Sequence, residues 1–487
     1  MSSLVSSSFF TPLEKAAAVE CLCKLITFPT VSAIGPSTGS YVACATYLHS
    51  LVSSFLPAVQ SRSPSSSCFL LPNAAADSPV VVFKWTGSDP SLPVLLLNCH
   101  YDVVPPGEVG PKGWTVDPFG GIIRDGRIYG RGAQDMKCVV VQYVEALRKL
   151  SEDPSFMPLR TVVLTCVPDE EIGGGGMASF LSSEFYAKEV CEQCGGVALA
   201  LDEGLASTGD GYSVFYGERL PWWIEVTATG ATGHGSRFIE PTAMQQIVSF
   251  ASKALAFRAE QKDLLFGGGG PSKHAGCAHA IAAKGKTALT TLGDVTTLNI
   301  TGMRAGVDAG DGTVAANVVP PTAVATVDIR ISPHVPPEHM KAKLDGWCRE
   351  CSPGNEEDKN KVGGVSWAFL GHHGNDDDKD KDGKDKNMAH HTTATDKDVN
   401  PFYQHFVDGV SLSGIDVLPE VFPAATDSRF LRALGIRALG FSPMRRSEIM
   451  LHEYDENIKV EVFEEGLEVF FKLIRHLVMI PKQADEK

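Results

Sequence analysis

Three short apolar runs in the first half of the chain each end at a cluster of acidic or histidine residues. Aliphatic and β-branched runs of this kind, bounded by turn residues, predict buried parallel strands. Because open α/β sheets bind ligands at the carboxyl ends of such strands, we expect the three clusters to face one crevice. The runs and their clusters are 94–97 before His100 and Asp102, 162–164 before Asp169, Glu170 and Glu171, and 197–201 before Asp202 and Glu203.

Helical spacing marks further elements of this region. Thr11 and Glu14 have the spacing of a capping box, with proline at the first helical position, and predict the start of a helix. From Met136 onward apolar residues recur at helical spacing, which places Asp135 at or just before a helix N-terminus. The helix dipole favours an ionised carboxylate at that point. Residues 62–78 are rich in Ser, Pro and Ala and are predicted to form a loop.

The pattern changes near residue 219. Residues 222–229 alternate between apolar and polar side chains, which is typical of a half-exposed strand. Helices and alternating strands then continue, so we expect 219–372 to form an inserted α+β domain. The segments 1–218 and 399–487 are predicted to form together the main α/β domain, a mixed, mostly parallel sheet flanked by helices.

Two inserts depart from the globular pattern. Residues 354–398 contain an alternating Asp–Lys run with few hydrophobic residues, so no packed structure is expected there and 373–398 are predicted to be disordered. The other insert, 262–285, is rich in glycine. Neither of the glycine runs 173–176 and 267–270 is followed by Gly-Lys-Ser/Thr, and both are interpreted as loops that bind no phosphate.

Composition narrows the class of protein. The chain has 487 residues, a formal net charge of −15 and 43% hydrophobic residues, which excludes wholesale disorder and disfavours a nucleic-acid or anionic-membrane surface. No run reaches the ~20 apolar residues of a membrane span. The 12 cysteines are spread along the chain, many in apolar runs, so we expect reduced thiols in an intracellular protein. The Cys-x-x-Cys pairs at 191/194 and 348/351 lie too far apart for a zinc ribbon.

The polar residues near the predicted strand ends have the chemistry of a metal site. Imidazole and carboxylate groups bind zinc where thiolates are absent, and two zinc ions need about five protein ligands with one carboxylate shared. A carboxylate left over beside them would act as general base for an attacking water. Any one of these acids is equally consistent with a helix cap or a salt bridge, and it is their number in one domain that favours a metal site. The candidates are His100, Asp102, Asp135, Glu170, Glu171, Glu203 and His452.

Several segments that contain these residues carry a family resemblance. They are 98–105, 131–137, 167–173, 200–204, 233–238, 423–427 and 440–444, followed by His452. In this order they resemble the aminoacylase-1 family of dinuclear zinc enzymes, which is related to acetylornithine deacetylase, succinyl-diaminopimelate desuccinylase and glutamate carboxypeptidase. The resemblance extends from about residue 15 to about residue 475. It implies a zinc-peptidase-like catalytic domain, an inserted lid and dimerisation domain, two Zn²⁺ ions per subunit, a homodimer and a cytoplasmic location.

The resemblance also implies a ligand set. Asp135 would bridge the two zinc ions. His100 and Glu203 would complete the ligands of one ion, and Glu171 and His452 those of the other.

Further residues take their expected roles from the same resemblance. Glu170 matches the general base, and Asp102 matches the carboxylate that orients the metal-binding imidazole of His100. His234 matches a histidine that the lid domain contributes to the active site of the partner subunit. The residues expected to contact the substrate are Asn317, Arg330 and Gly440.

The activity implied is zinc-dependent hydrolysis of N-acyl-L-amino acids to a carboxylate and an L-amino acid, with a small molecule as the only partner besides a second subunit. Two alternatives stay open. An acetylornithine deacetylase, dipeptidase or carboxypeptidase would share the metal site and differ in its pocket. A catalytically silent binding subunit is disfavoured by the complete ligand set and by Glu170.

Overall fold

The computed structural model divides the chain into two compact units. The first comprises Met1–Gly217, Thr392–Glu420 and Thr426–Lys487, and the second comprises Glu218–His391 and Val421–Ala425. The glycine run at 267–270 and most of the Asp–Lys insert lie outside the described residues. Those residues are 8–72, 77–266, 291–353, 363–370, 389–484 and 486.

The strands of both units are numbered in chain order. They are β1 (Ser67–Leu71), β2 (Val80–Trp85), β3 (Val94–His100), β4 (Ile122–Arg124), β5 (Arg127–Tyr129), β6 (Val162–Val167), β7 (Val197–Asp202), β8 (Tyr212–Glu218), β9 (Leu220–Thr229), β10 (Gly233–His234), β11 (Thr297–Ala305), β12 (Val318–Val319), β13 (Thr322–Ile331), β14 (Gly364–Phe369), β15 (Val417–Phe422), β16 (Ala438–Gly440) and β17 (Asn457–Lys459).

The α-helices are numbered in the same way. They are α1 (Pro12–Ile26), α2 (Gly35–Thr38), α3 (Ser40–Gln60), α4 (Lys137–Glu152), α5 (Gly175–Leu181), α6 (Ala243–Phe266), α7 (Pro337–Cys351), α8 (Pro401–Ser411), α9 (Ser428–Ala433) and α10 (Val460–Leu477). Helix α1 begins with the predicted capping box, in which Thr11 Oγ1 accepts the backbone N–H of Glu14 and the Glu14 carboxylate accepts that of Thr11.

The first unit is built on a sheet with strand order β1-β2-β6-β3-β7-β16-β8-β15. The predicted mixed sheet with flanking helices is confirmed. The four central strands β6, β3, β7 and β16 pair in parallel, while β1 and β2 pair antiparallel, as do β2 and β6 and also β16 and β8. The three apolar runs form β3, β6 and β7 as predicted. Since β3 and β7 are both parallel to their neighbours, their carboxyl ends lie at the same edge of the sheet.

Both faces of this sheet are buried, which explains why its central strands are apolar at nearly every position. In β3, Leu95 and Leu97 belong to one core cluster, which also contains residues of α1, α3, α4, α8 and α10. Val94 and Leu96 belong to a second cluster with residues of α5 and α9. The sheet is thus packed between two helical layers.

The second unit has an antiparallel sheet of order β11-β13-β9-β14 and two long helices, α6 and α7. Strand β9 alternates between buried and more exposed positions, as the sequence predicts for residues 222–229. Trp222, Ile224 and Val226 on its inner face pack with Phe250 of α6 and Leu344 of α7. This unit therefore has a hydrophobic core of its own.

Two sequence predictions of unstructured segments are wrong in part. Residues 62–78 include the edge strand β1, whose short apolar stretch pairs with β2 despite the surrounding Ser and Pro. Residues 364–369 form β14, because Val365 is buried in the core of the second unit and the strand pairs with β9. Of the region 373–398, the described part includes the buried Thr393, whose hydroxyl donates to the carbonyl of Ala438.

Among the described helices, α3 is long and apolar enough to cross a membrane by length and composition alone. Its Tyr41, Leu48, Val52 and Phe55 are buried in the core cluster of the first unit. The packing of these side chains accounts for the apolar composition of the helix.

Candidate metal centre

The sheet edge at the carboxyl ends of the central strands carries the predicted polar residues. His100 is the last residue of β3, and Glu203 follows β7 directly. Glu170 and Glu171 lie in a single 3₁₀ turn, Glu170–Ile172, that begins three residues after β6. Short connections from buried strands hold these side chains in place. The three predicted strand ends thus bring their polar residues to one edge of the sheet.

Two groups of potential ligands meet at Asp135. In the first, His100 Nε2 lies 3.1 Å from Asp135 Oδ1 and 3.4 Å from Glu203 Oε2. In the second, His452 Nε2 lies 3.3 Å from Asp135 Oδ2 and 3.1 Å from Glu171 Oε2. Within each group the ligand atoms all lie within 4.8 Å of one another. Each oxygen of Asp135 thus faces one group, which is the arrangement of a carboxylate shared by two ions.

The electrostatics of these groups fit a cation. Burial, and then the Asp135 carboxylate, raise the pKa of Glu203 well above its ordinary value, and the same two causes raise the pKa of Glu171. Burial opposes ionisation of Asp135 as well, but hydrogen bonds from His100 and His452 outweigh it and lower its pKa. Desolvated carboxylates that repel one another are costly unless positive charge is supplied. The donor set of imidazoles and carboxylates therefore suits a pair of divalent metal ions.

The neighbouring carboxylates also raise the pKa values of the two histidines. Burial disfavours protonation of His100, yet its hydrogen bonds to Asp102, Asp135 and Glu203 raise its pKa well above the ordinary value. Hydrogen bonds to Asp135 and to Glu171 raise the pKa of His452 to about 10. Both imidazoles thus lie in a strongly negative field, which a bound cation would also feel.

Asp135 reaches the site from a loop and not from a strand end. It lies two residues before α4, as the helical spacing predicts, and the Asp135–Met136 peptide is cis. Its neighbour Met136 is buried, and the Met136 sulfur accepts the backbone N–H of His100 at 3.3 Å. This contact links the Asp135 segment to the end of β3.

Asp102 connects the first ligand group to Glu170. Its carboxylate is fully buried and accepts the backbone N–H of Glu170 at 3.2 Å and that of Glu171 at 3.4 Å. Asp102 Oδ1 lies 3.4 Å from His100 Nδ1, whereas the carbonyl oxygen of Asp102 is closer, at 3.0 Å. The imidazole is therefore oriented by the backbone and by the side chain of the same residue.

Ser32 is a neighbour of the site that the sequence prediction missed. Its hydroxyl donates to Asp102 Oδ2 at 2.8 Å, and its own backbone N–H donates to the carbonyl of Val103 at 2.9 Å. Asp102 is in this way satisfied on both oxygens. A lone serine 70 positions upstream carries no sequence signal for this contact.

Behind the ligands lies a second cluster of buried polar groups. Asn98 Nδ2 donates to Asp202 Oδ1 at 3.0 Å and to Asp427 Oδ2 at 3.3 Å, and Ser428 Oγ donates to Asp202 Oδ2 at 2.7 Å. Burial, together with the charge of Asp202, raises the pKa of Asp427 to about 7. Asp427 Oδ1 has no hydrogen-bond partner in the described part of the chain. The surroundings of Asp427 thus disfavour its ionised form.

Gly440, predicted to contact substrate, has a backbone reason to be glycine. It ends β16, where it pairs with Asp202 of β7 and Phe215 of β8. A Cβ atom at this position would lie 2.4 Å from the carbonyl oxygen of Glu203. Close approach of the strands beside Glu203 therefore accounts for the residue.

The three remaining predicted residues belong to the second unit. His234 on β10 is exposed, and its Nδ1 lies 2.8 Å from Ser236 Oγ. The carbonyl of Asn317 accepts the backbone N–H of Gly235 at 2.7 Å. Arg330 is engaged by an internal partner, because its guanidinium donates to both carboxylate oxygens of Asp328 at 2.8 and 3.1 Å.

Fold and site together define a class of protein, a metal-dependent hydrolase whose candidate ligands form two groups that share Asp135. Residues 96–476 match the model of peptidase family M20/M25/M40. Aminoacylase-1 from Sus scrofa is 37% identical over 410 residues, which cover 84% of this chain and 85% of that protein. The chain belongs to peptidase family M20/M25/M40, and the resemblance to aminoacylase-1 is confirmed. It is accordingly a metal-dependent amidohydrolase.

Solved structures agree with the fold. An M20 family metallo-carboxypeptidase from Sulfolobus solfataricus superposes with a TM-score of 0.61 at 18% identity, covering 95% of this chain and 99% of that one. A dinuclear metal-binding M20 peptidase from Bacillus subtilis gives a TM-score of 0.59 at 11% identity, covering 96% and 99% of the two chains. At these identities the likeness concerns the fold alone.

The environment of Asp427 leads to a prediction about pH. Its pKa of about 7, against an ordinary value of 3.8, means that the folded state binds this proton more tightly than the unfolded state. The stabilising contribution is complete below the ordinary pKa and is lost as the pH rises through 7. As the pH rises from 4 to 8, the metal-free wild type should therefore lose stability relative to metal-free D427N. The expected change in the difference between their free energies of unfolding is more than about 1 kcal/mol, since one pKa unit corresponds to about 1.4 kcal/mol.

Urea unfolding of both proteins at several pH values measures this difference. The exposed Asp398 supplies the control, because D398N should show no such trend. A difference between D427N and the wild type that stays constant from pH 4 to pH 8 would contradict the prediction.

Proposed function

We propose that this protein hydrolyses the amide bond of N-acyl-L-amino acids with two zinc ions and with Glu170 as general base. The observation that carries the proposal is the pair of ligand groups sharing Asp135, with a further buried carboxylate, Glu170, in the same 3₁₀ turn as Glu171. The aminoacylase-1 of Sus scrofa, 37% identical over most of both chains, supports the choice of substrate class.

The proposed ligands of the metals are the five side chains of the two groups. His100 and Glu203 would hold one ion and Glu171 and His452 the other, with Asp135 shared. Mixed imidazole and carboxylate ligands favour zinc over magnesium or calcium, which prefer oxygen alone. When bound, such ions polarise a carbonyl group and increase the acidity of a water molecule.

Glu170 has the properties of a proton carrier. Burial and the negative charge of Glu203 raise its pKa well above the ordinary value, and the positive charge of His100 opposes the shift only in part. A carboxylate with a raised pKa is a stronger base for an attacking water, and the proton that it takes up can then pass to the leaving amine. The Asp102 carboxylate accepts the backbone N–H of Glu170 at 3.2 Å and so fixes the position of the backbone that carries this side chain.

The second unit is proposed to act as a lid and dimerisation domain. Helix α6 exposes Met244, Val248 and Leu255 on one face, and such an apolar stripe is suited to cover by a second subunit. His234 and Asn317 would then contribute to substrate binding, His234 in the site of the partner. Arg330 is proposed to bind the substrate carboxylate, in competition with Asp328.

We further propose a cytoplasmic location. The cysteines in the described part of the chain are free, including Cys99 and Cys166, whose Sγ atoms lie 3.5 Å apart on neighbouring strands. Thiols in contact without a disulfide bond are consistent with a reducing compartment.

Removal of the general base tests the mechanism. We expect E170Q to bind zinc like the wild type, since Glu170 is not among the proposed ligands, and to lose about 100- to 10,000-fold in kcat because proton transfer is lost. Zinc content and kcat are measured on the same preparation. The exposed Glu461 on α10 provides a matched control, and E461Q should keep both values. Near-normal turnover in zinc-loaded E170Q would refute the role of Glu170.

A panel of substrates tests the proposed activity. Metal-free protein is assayed with N-acetylmethionine, N-acetylornithine and a dipeptide before and after zinc is added. We expect no hydrolysis without metal, and after addition the highest kcat/KM on N-acetylmethionine. Preference for N-acetylornithine or for the dipeptide would favour one of the related enzymes instead. Absence of both zinc binding and hydrolysis would favour a silent binding subunit.

A further inference from the structure

Two loops carry proposed metal ligands that do not come from the central strands. The Asp135 loop is residues 130–136, and the His452 loop is residues 450–456. Both loops adjoin the same pair of strands. The Asp135 loop follows β5, the His452 loop precedes β17, and Tyr129 of β5 pairs with Asn457 of β17. The site needs both loops at a fixed separation, since Asp135 and His452 belong to the same ligand group.

A buried carboxylate, that of Glu456, lies between the loops. Glu456 is 1% exposed. Its Oε1 accepts the backbone N–H groups of Gln134 at 2.7 Å and Asp135 at 3.2 Å. Its Oε2 accepts the backbone N–H of Gly132 at 3.1 Å and Arg131 Nη1 at 2.8 Å. One side chain of the His452 loop thus gathers three backbone amides and one guanidinium of the Asp135 loop.

Arg131 carries the connection back to His452. Its Nη2 donates to the carbonyl oxygen of His452 at 3.3 Å, and its guanidinium lies over the ring of Trp114, 5.2 Å from the centroid. The backbone of Glu456 adds a further bond between the loops, because its carbonyl accepts the backbone N–H of Gly130 at 3.0 Å. The ion pair of Arg131 and Glu456 therefore touches the backbone of Asp135 at one end and that of His452 at the other.

Gln134 reinforces the same junction with neutral hydrogen bonds. Its Nε2 donates to the carbonyls of Glu448 at 3.0 Å and Asn457 at 2.8 Å, and its Oε1 accepts the backbone N–H of Met450 at 3.1 Å. These bonds hold the loops together whether or not Glu456 is charged. They give a reason to expect that the fold survives loss of the Glu456 carboxylate.

We propose that Glu456 is a positioning residue that sets the separation of Asp135 and His452 and thereby the affinity for metal. The inference rests on the proposed function, since it assumes that these two side chains are ligands. The Glu456 carboxylate binds backbone amides and Arg131 and is not itself a member of either ligand group. A buried carboxylate that accepts hydrogen bonds through both oxygens fixes its partners more precisely than a neutral group does. Partners of this kind behind metal ligands typically account for about 10- to 100-fold in affinity.

The test is zinc binding by E456Q. The carboxamide keeps the shape of the side chain but points an NH₂ group at N–H donors, so part of the network is lost. We expect a fall of about 10- to 100-fold in the affinity of at least one zinc ion. Competition titration with a chelator measures the affinities, and thermal unfolding of the metal-free proteins reports on the fold.

The neighbouring residue offers a matched control. Asp455 lies in the same loop, but its carboxylate accepts the backbone N–H of Thr115 at 2.8 Å and the Thr115 hydroxyl at 2.9 Å. D455N should therefore keep both zinc affinities. An equal loss in D455N and E456Q would show that any disturbance of the loop weakens the metal, and the positioning role would be wrong.

The outcomes separate the inference from the proposed function. Wild-type protein that binds no zinc would overturn the proposed function itself. Wild-type protein with two zinc ions, together with unchanged affinities in folded E456Q, would overturn the positioning role alone. If E456Q does not fold, E456D is measured instead. The shorter side chain keeps the negative charge but moves the carboxylate away from its partners by one methylene group. Unchanged zinc affinities in E456D would then contradict the inference.

Discussion

The main constraint on this structure is the mutual repulsion of buried carboxylates at one edge of a sheet. Asp135, Glu171 and Glu203 approach two imidazoles, and Glu170 lies beside them with a strongly raised pKa. Without positive charge such a cluster destabilises the fold, since desolvation and like charge act in the same direction. The architecture is thus organised to hold a group of acids that only a cation makes favourable.

The fold meets this constraint with rigid supports behind each acid. The apolar strands end at the site, so His100 and Glu203 have little freedom to move apart. Asp102 holds the backbone of the 3₁₀ turn that carries Glu170, and Glu456 holds the loop that carries Asp135. The candidate ligands therefore keep their positions through hydrogen bonds to their backbones, while their own oxygens and nitrogens remain directed at one another.

Periodicity and local chemistry were sufficient to predict the central strands, the helix after Asp135 and the alternating strand β9. They failed at β1 and β14, because short apolar stretches in polar surroundings become strands only through pairing with a neighbour. The family resemblance implied the division of the candidate ligands into two groups. The candidates themselves were accessible because apolar runs end near His100, Glu171 and Glu203. Ser32 and Glu456 were not, since their contacts join segments 70 and more than 300 positions apart and leave no local pattern. Gly440 stays a predicted substrate contact, and its crowding against Glu203 is an additional reason for glycine at this position.

We propose that the two ligand groups hold two metal ions with Asp135 between them. Anomalous diffraction from crystals of the zinc-loaded protein, collected on both sides of the zinc absorption edge, tests this most directly. We expect two peaks per chain, one within reach of His100 and Glu203 and one within reach of Glu171 and His452, both within reach of Asp135. A single peak, or peaks away from these five side chains, would contradict it.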